Sequence, residues 1–167
     1  MIFSLLPKVI FPALTDVSAE FLHSRNIRLV MLDFDNTIVP YTTSTPTDAM
    51  HAWLTDMTNS DIQLCVVSNS HKDRVKIFCE RYGIPCITHA KKPFSKGIQA
   101  CLAQFHAHPA ECALVGDQIF TDTLGANGCG VMSILVSAID NHNIWLKLRH
   151  VAELPFIFFA RKRRIKS

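Results

Sequence analysis

The sequence predicts a doubly wound α/β fold, in which helices cover both faces of one parallel sheet. Three observations lead to this prediction. Short apolar runs typical of buried strands alternate with helical patterns five times along the chain. Hydrophobic residues make up 49% of the chain and charged residues 19%, a balance that excludes a disordered protein. No linker or low-complexity segment divides the chain, so we expect one domain over residues 1–167, with a core from about residue 16 to residue 154.

The first third of the chain predicts a helix, a strand and a second helix. Residues 16–25 have apolar side chains at helical spacing, with Thr15 or Asp16 as the N-cap. Residues 28–32 end in an apolar run that suits a strand buried on both faces. The second helix is expected from residue 45 to about residue 58, because the fixed φ of Pro46 suits a first helical position.

The rest of the chain continues the alternation. We expect strands over residues 62–67, 86–88, 113–115 and 131–136, and helices over residues 71–82, 95–106 and 143–154, with a short helix after Asp117. Gly83 marks a helix end, because glycine readily adopts the left-handed conformation of a C-terminal cap. The carboxyl ends of parallel strands share one edge of a sheet, so the residues that follow these strands are expected to lie together.

Two acids follow the first predicted strand, in the segment D-F-D-N-T. Asp33 stands at the strand end and Asp35 lies two residues further on. This pair suits covalent phosphoryl transfer, with Asp33 as nucleophile and Asp35 as the acid that protonates the leaving oxygen and then activates water. Thr37 can fix the turn through its hydroxyl and is a candidate substrate contact. The alternative is a strand end with two solvated aspartates and a turn.

A hydroxyl and a lysine follow the next two strands. Ser68 can donate its hydroxyl to a phosphate oxygen, with the backbone N–H of Asn69 behind it. Lys92 can supply positive charge to the phosphate and to Asp33. Simpler interpretations exist, since serine and asparagine are good helix N-caps, and Lys91 and Lys92 can form a solvated surface pair.

A second pair of acids follows the fourth predicted strand. Asp117 can ligate a metal ion, and Asp122 can hold the metal's waters or orient Lys92. Mg²⁺ fits this set, because it takes oxygen ligands and binds through one or two carboxylates plus a substrate phosphate. The expected ligands are Asp33, Asp117 and the backbone carbonyl of Asp35. Alternatively, Asp122 only caps the helix that it begins.

These motifs resemble a known family. The runs D-F-D-N-T, V-V-S-N-S, K-K-P and G-D-Q-I-F-T-D are similar to those of the haloacid dehalogenase (HAD) superfamily, and more narrowly to phosphatases of its subfamily IIIA, YqeG type. The resemblance covers about residues 16–136 and implies a HAD-like Rossmannoid fold. By position, the family's roles fall on nucleophile Asp33, acid/base Asp35, phosphoryl contacts Ser68 and Lys92, metal ligand Asp117 and supporting acid Asp122.

The spacing of the motifs leaves no room for an inserted cap domain. Thirty residues separate Thr37 from Ser68, and twenty-three separate Ser68 from Lys92, enough in each case for one helix and one strand. In this superfamily, a capless enzyme resembles those that act on large or surface-bound substrates, or those that build a lid by oligomerising. Relatives of the YqeG type include the mitochondrial phosphatidylglycerophosphate phosphatase, so the resemblance implies that lipid head group as substrate.

The two ends of the chain suggest a membrane surface as a partner. Residues 1–14 are apolar, and residues 156–167 combine aromatic side chains with a basic cluster. The alternative is that the apolar segments pack on the sheet and that the basic tail is solvated. Nucleic acid is a weaker candidate partner, because no aromatic and basic stacking platform accompanies the basic run.

The sequence favours a cytoplasmic location, with peripheral contact at the inner face of the membrane. Pro7, Lys8 and Pro12 interrupt the first apolar run, so we expect neither a transmembrane helix nor a secretory signal. The six cysteines form no C-x-x-C pair, which is typical of thiols in a reducing compartment.

Two other functions use some of the same residues. A phosphate-accepting signalling domain also needs an aspartate, a lysine and a hydroxyl, but it lacks a second acid at the position of Asp35. A non-enzymatic scaffold on membrane or ribosomal RNA would depend on the basic tail and not on Asp33.

Overall fold

The fold is built on one parallel sheet. The structure is a computed structural model that describes residues 4–140 and 154–158. In these residues the sheet has six strands, which in chain order are β1 Val9–Phe11, β2 Leu29–Leu32, β3 Gln63–Val67, β4 Cys86–Ile87, β5 Cys112–Gly116 and β6 Met132–Val136. Their spatial order is β1-β6-β5-β2-β3-β4, and every neighbouring pair is parallel. The predicted doubly wound sheet is confirmed.

Helices cover the two faces of the sheet. They are α1 Ala19–Ser24, α2 Asp48–Asn59, α3 Asp73–Tyr82, α4 Lys96–Gln104 and α5 Leu124–Gly128, with 3₁₀ turns at Leu14–Asp16 and Pro109–Glu111 and a π-helical turn at Ile119–Thr123. Because successive strand residues point to opposite faces, β2 contributes to two cores. Its Val30 and Leu32 lie in the core that holds α2 and α3 side chains, and its Leu29 and Met31 lie in the core that holds α4.

One strand was not predicted. β1 lies at the edge of the sheet, where its residues Val9, Ile10 and Phe11 pair with β6. The strand has only three residues, and the prolines on either side of it, Pro7 and Pro12, obscure its pattern while suiting an edge position. This part of the apolar N-terminal segment therefore packs in the sheet.

The predicted starts of the first two helices were wrong. Ser18 caps α1, since its hydroxyl accepts a hydrogen bond from the backbone N–H of Phe21 at 3.1 Å. Thr47 caps α2, so Pro46 lies before the helix and not at its first position. The predicted end of α3 is confirmed, because Gly83 is its C-cap and has φ 63°.

The two connections between β2, β3 and β4 contain no inserted domain, and all of their residues are described. The connection from β2 to β3 contains α2, and that from β3 to β4 contains α3. The helix predicted over residues 143–154 lies outside the described residues except for its last residue, and so does the tail from residue 159 onward. Within the described ranges, no helix has the length and hydropathy needed to cross a bilayer.

Candidate active site

The predicted site residues meet at the carboxyl edge of the central strands. The strand order reverses between β2 and β5, which is where open α/β sheets bind ligands. Asp33 directly follows β2, and its backbone N–H still pairs with the carbonyl of Val115 at 2.9 Å. Ser68 directly follows β3, and its N–H pairs with the carbonyl of Ile87 at 2.9 Å. The sheet therefore fixes the backbone at both residues.

Lys92 is the centre of the site. Its Nζ lies 2.6 Å from Oδ1 of Asp33 and 2.7 Å from Oδ1 of Asp122, and the residue is only 5% exposed. A buried ammonium is tolerated when carboxylates pair with it. The interpretation of Lys91 and Lys92 as a solvated surface pair is wrong for Lys92, although Lys91 is exposed.

Three buried acids surround this lysine. Carboxylate oxygens of Asp33, Asp117 and Asp122 all lie within 4.8 Å of one another. When every group is ionised, the three acids and Lys92 carry an excess of two negative charges. Buried like charges repel each other strongly unless a cation neutralises them, so this donor set fits a divalent cation with oxygen ligands, and Mg²⁺ is such an ion.

The carboxylate of Asp122 contacts two groups of the protein. One of its carboxylate oxygens pairs with Lys92, and the other accepts a hydrogen bond from the backbone N–H of Gln118 at 3.1 Å. Asp122 thus orients the lysine and caps its own turn at the same time. Gly116 makes this packing possible, because a Cβ there would lie 2.3 Å from Oδ2 of Asp122.

Burial and neighbouring charges shift the pKa values of Asp33 and Lys92. Burial raises the pKa of Asp33 from 3.8 to about 6; Lys92 opposes the rise, while Asp122 and Asp35 add to it. Burial alone would lower the pKa of Lys92, but the carboxylates of Asp122 and Asp33 outweigh it and the pKa is raised. Lys92 therefore stays charged, and added positive charge would favour the ionised form of Asp33.

Asn69 supports Lys92 through its side chain. Its Nδ2 donates to the carbonyl of Lys92 at 2.9 Å, and its Oδ1 accepts from the N–H of Lys92 at 2.7 Å. The hydroxyl of Ser68 accepts from the N–H of Ser70 at 3.0 Å. The alternative that Ser68 or Asn69 caps the next helix is wrong, because the N-cap of α3 is Lys72.

Thr37 does not fix the turn through its hydroxyl. Backbone bonds close the turn, among them Asn36 N–H to the carbonyl of Val39 at 2.7 Å and Ile38 N–H to that of Phe34 at 3.1 Å. Thr37 is 1% exposed, and within the described residues its Oγ1 has no hydrogen-bond partner. A buried hydroxyl in this state is available to a ligand.

Asp35 lies at the margin of the cluster, paired with a residue that the sequence did not suggest. Its Oδ1 forms an ion pair with Nη2 of Arg74, near the start of α3. The two side chains are 15% and 14% exposed, so the alternative of freely solvated aspartates is wrong for Asp35 as well as for the buried Asp33. No motif marks Arg74, because it follows neither a strand nor a recognisable run.

A family model confirms the resemblance. The family described as mitochondrial PGP phosphatase matches residues 3–139, which include the whole site. The chain belongs to this family. It is a phosphatase of the HAD type, and the resemblance to the YqeG group is confirmed by the relatives that it matches.

Two curated relatives and two solved structures illustrate the match. The chain is 34% identical over 131 residues to a probable phosphatase, YqeG, of Bacillus subtilis, and 32% identical over 145 residues to the mitochondrial phosphatidylglycerophosphatase GEP4 of Saccharomyces cerevisiae; each alignment covers 78% of this chain and 76% of the relative.

The structures have the same fold at low identity. The cobalt-bound deoxy-D-mannose-octulosonate 8-phosphate phosphatase of Haemophilus influenzae has a TM-score of 0.54 at 13% identity, covering 75% of each chain. A protein assigned to the HAD family of hydrolases, from Streptomyces avermitilis, has a TM-score of 0.54 at 15% identity, covering 72% of this chain and 69% of that one.

Proposed function

We propose that this phosphatase is a Mg²⁺-dependent phosphomonoesterase that works through an aspartyl-phosphate at Asp33, with phosphatidylglycerophosphate as its favoured substrate. The observation that carries the proposal is the buried ammonium of Lys92, which contacts Asp33 and Asp122 beside Asp117. This arrangement places a carboxylate nucleophile next to a fixed cation, and both residues are buried. Such preorganised charge stabilises a transferring phosphoryl group.

In the first step, Asp33 attacks phosphorus. Lys92 contacts Oδ1 of Asp33, so we assign the attack to Oδ2. The bond between phosphorus and the ester oxygen breaks, and the leaving oxygen takes a proton from the carboxyl group of Asp35. Lys92, the hydroxyl of Ser68 and the unpaired hydroxyl of Thr37 bind the phosphoryl oxygens.

In the second step, water releases phosphate. Asp35, now a carboxylate, accepts a proton from a water molecule, which attacks the phosphorus of the aspartyl-phosphate. The bond between phosphorus and Oδ2 of Asp33 breaks, and the carboxylate is restored.

The proposed metal ligands are Asp33, Asp117 and the backbone carbonyl of Asp35. When bound, Mg²⁺ supplies the positive charge that neutralises the phosphate and keeps Asp33 ionised. The raised pKa of Asp33 in the metal-free cluster supports the need for this charge. One of the solved structures with this fold was determined with cobalt, which is consistent with a divalent ion.

Three features support a lipid substrate. The name of the family and that of the yeast relative both refer to phosphatidylglycerophosphate. The β2–β3 and β3–β4 connections hold no inserted cap, so the site is open to a head group that stays in a bilayer. We therefore propose peripheral contact with the cytoplasmic face of a membrane, with the basic tail over residues 161–167 facing anionic lipid.

A panel of substrates tests the proposal. We expect phosphate release from phosphatidylglycerophosphate in mixed micelles to exceed that from sugar phosphates and nucleotides, to require Mg²⁺, and to stop in Asp33→Asn. The matched control is Asp56→Asn, since Asp56 is exposed on α2. Equal, slow rates on every substrate would remove the lipid assignment, and retained activity in Asp33→Asn would remove the mechanism.

A further inference from the structure

We propose that Arg74 is a positioning residue, which holds the carboxyl group of Asp35 in place for proton transfer and ties it to the loop of residues 40–43. The inference rests on the proposed role of Asp35 as the acid. It concerns a residue that lies outside the motifs and that forms its ion pair with Asp35.

The guanidinium group of Arg74 makes four polar contacts. Nη2 pairs with Oδ1 of Asp35 and also donates to the carbonyl of Pro40 at 3.2 Å. Nη1 donates to the carbonyls of Tyr41 at 2.7 Å and Thr43 at 3.0 Å. One side chain thus binds the proposed acid and three backbone positions of the loop that follows it.

The ring of Phe34 forms a support for this group. The guanidinium carbon of Arg74 lies 5.1 Å from the ring centroid of Phe34. Phe34 stands between Asp33 and Asp35 in the sequence, and its side chain is fully buried. The ring centroids of Phe34 and Phe78 are 5.2 Å apart, and Phe78 lies on the same helix as Arg74. A cation over an aromatic face is attracted to the ring, and this attraction adds to the hydrogen bonds that hold the guanidinium in place.

Only arginine can make this set of contacts. Its planar group carries donors on separate nitrogens, whereas the donors of lysine all radiate from one atom. A lysine at position 74 can keep a positive charge near Asp35 but cannot also span the carbonyls of Tyr41 and Thr43. The two functions of Arg74, charge and positioning, can therefore be separated by substitution.

The arrangement leaves one oxygen of Asp35 for chemistry. Because Arg74 holds Oδ1, we assign the transferred proton to Oδ2. In the forward step the O–H bond of Asp35 breaks as the leaving oxygen gains the proton, and Arg74 stabilises the carboxylate that remains. A misplaced carboxyl group would slow this step most when the leaving oxygen is a strong base, because such an oxygen depends on protonation.

The test compares two leaving groups. For p-nitrophenyl phosphate the leaving phenolate needs little protonation, while the alkoxide of glycerol 3-phosphate needs it. We would measure kcat/KM for both, because this ratio reports the steps up to loss of the leaving group and not the later hydrolysis. In Arg74→Gln we expect kcat/KM for the alkyl ester to fall at least ~100-fold, and that for the aryl ester to fall about tenfold or less.

Two variants and a control complete the design. Asp35→Asn should show the same selective loss of kcat/KM for the alkyl ester, and the loss should be larger than in Arg74→Gln. The kcat/KM of Arg74→Lys should lie between those of Arg74→Gln and the wild type. Arg81→Gln, an exposed arginine on the same helix, should change neither rate. If Arg74→Gln fails to fold, as judged by circular dichroism and Tm, Arg74→Lys carries the comparison.

The outcomes distinguish the two proposals. An equal loss on both esters in the Arg74 variants, beside a selective loss in Asp35→Asn, would overturn the role of Arg74 and leave the mechanism intact. No selective loss in Asp35→Asn would overturn the role of Asp35 as acid, and that of Arg74 with it. A selective loss in both supports the inference.

Discussion

The buried centre of the site and its outer margin differ in how they hold charge. At the centre, the side chain of Lys92 is 1% exposed and contacts two carboxylates, with a third close by. At the margin, Asp35 and Arg74 form a single ion pair that is about 15% exposed and is connected to a surface loop. In the proposed mechanism, the centre stabilises charge on a phosphoryl group, while the margin exchanges a proton with the substrate and with water.

This contrast predicts different consequences for stability and for activity. Substitutions at the centre leave buried charges without partners, so they should affect both. Substitutions at the margin should affect activity with little loss of stability. The Arg74 and Asp35 variants described above test the margin. Four predictions for buried groups of the site follow, in order of their expected effect on the free energy of unfolding.

The largest effect is expected for Lys92→Ala. The substitution leaves Asp33 and Asp122 buried without their cation, and breaking a buried ion pair in this way destabilises proteins by about 3–5 kcal/mol. Urea unfolding without Mg²⁺ should show this loss, and phosphate release should stop. The control is Lys91→Ala, because Lys91 is exposed; similar losses in both variants would contradict the assignment of the centre to Lys92.

A pH dependence is the second prediction. The pKa of Asp33 is about 6 in the folded protein and 3.8 is its ordinary value, so between these pH values the folded state binds more protons than the unfolded state. The free energy of unfolding should therefore fall as the pH rises from about 4 to about 6.

The magnitude follows from the size of the shift. Relative to Asp33→Asn, the metal-free wild type should lose about 3 kcal/mol over this range, and the difference should level off above it. Lys92 titrates only above this range, so it does not contribute. Urea unfolding of both proteins in EDTA at several pH values measures the difference; a difference that stays constant, or grows in favour of the wild type, would refute the prediction.

The third prediction concerns the close approach of Gly116 to Asp122. In Gly116→Ala the new Cβ must push the carboxylate away from Lys92, and overpacking of this kind destabilises by about 1–3 kcal/mol. Activity should fall by about 100-fold because the lysine loses its orientation. Gly128→Ala serves as the control, since a Cβ there meets nothing within 4 Å. Unchanged turnover in Gly116→Ala would show that Asp122 does not need its present position.

The smallest effect on stability is expected for Thr37→Val. The hydroxyl of Thr37 has no partner among the described residues, so its removal should leave the free energy of unfolding unchanged or slightly higher. Phosphate release should nevertheless fall by about 100-fold if the hydroxyl donates to the phosphoryl group in the transition state. A large loss of stability with normal turnover would place Thr37 in the scaffold and not in the site.

The strand ends of the site could be predicted because a short run of neighbouring apolar residues indicates each strand. The apolar run before Asp33 and the run before Ser68 each indicate a buried strand, and parallel strands bring their carboxyl ends together. Gly83 likewise ends α3 where glycine is expected to do so. At these positions the pattern of neighbouring residues is enough to predict the element and the point where it ends.

The remaining features depend on contacts that are distant in sequence. Arg74 meets Asp35 across 39 positions, and Asn69 meets Lys92 across 23, so no local pattern indicates either pair. β1 was missed because three residues between prolines carry too little periodicity, and it becomes a strand only by pairing with β6. Tertiary contacts, and not propensity, settle these cases.

The proposed mechanism requires that Asp33 carry the phosphoryl group during turnover. Acid quenching of the enzyme during turnover of phosphatidylglycerophosphate, followed by mass spectrometry of its peptides, measures this directly. We expect an added phosphoryl group on the peptide that contains Asp33 in the wild type, and none in Asp33→Asn. A phosphorylated residue elsewhere, or turnover that leaves no phosphorylated protein under these conditions, would contradict it.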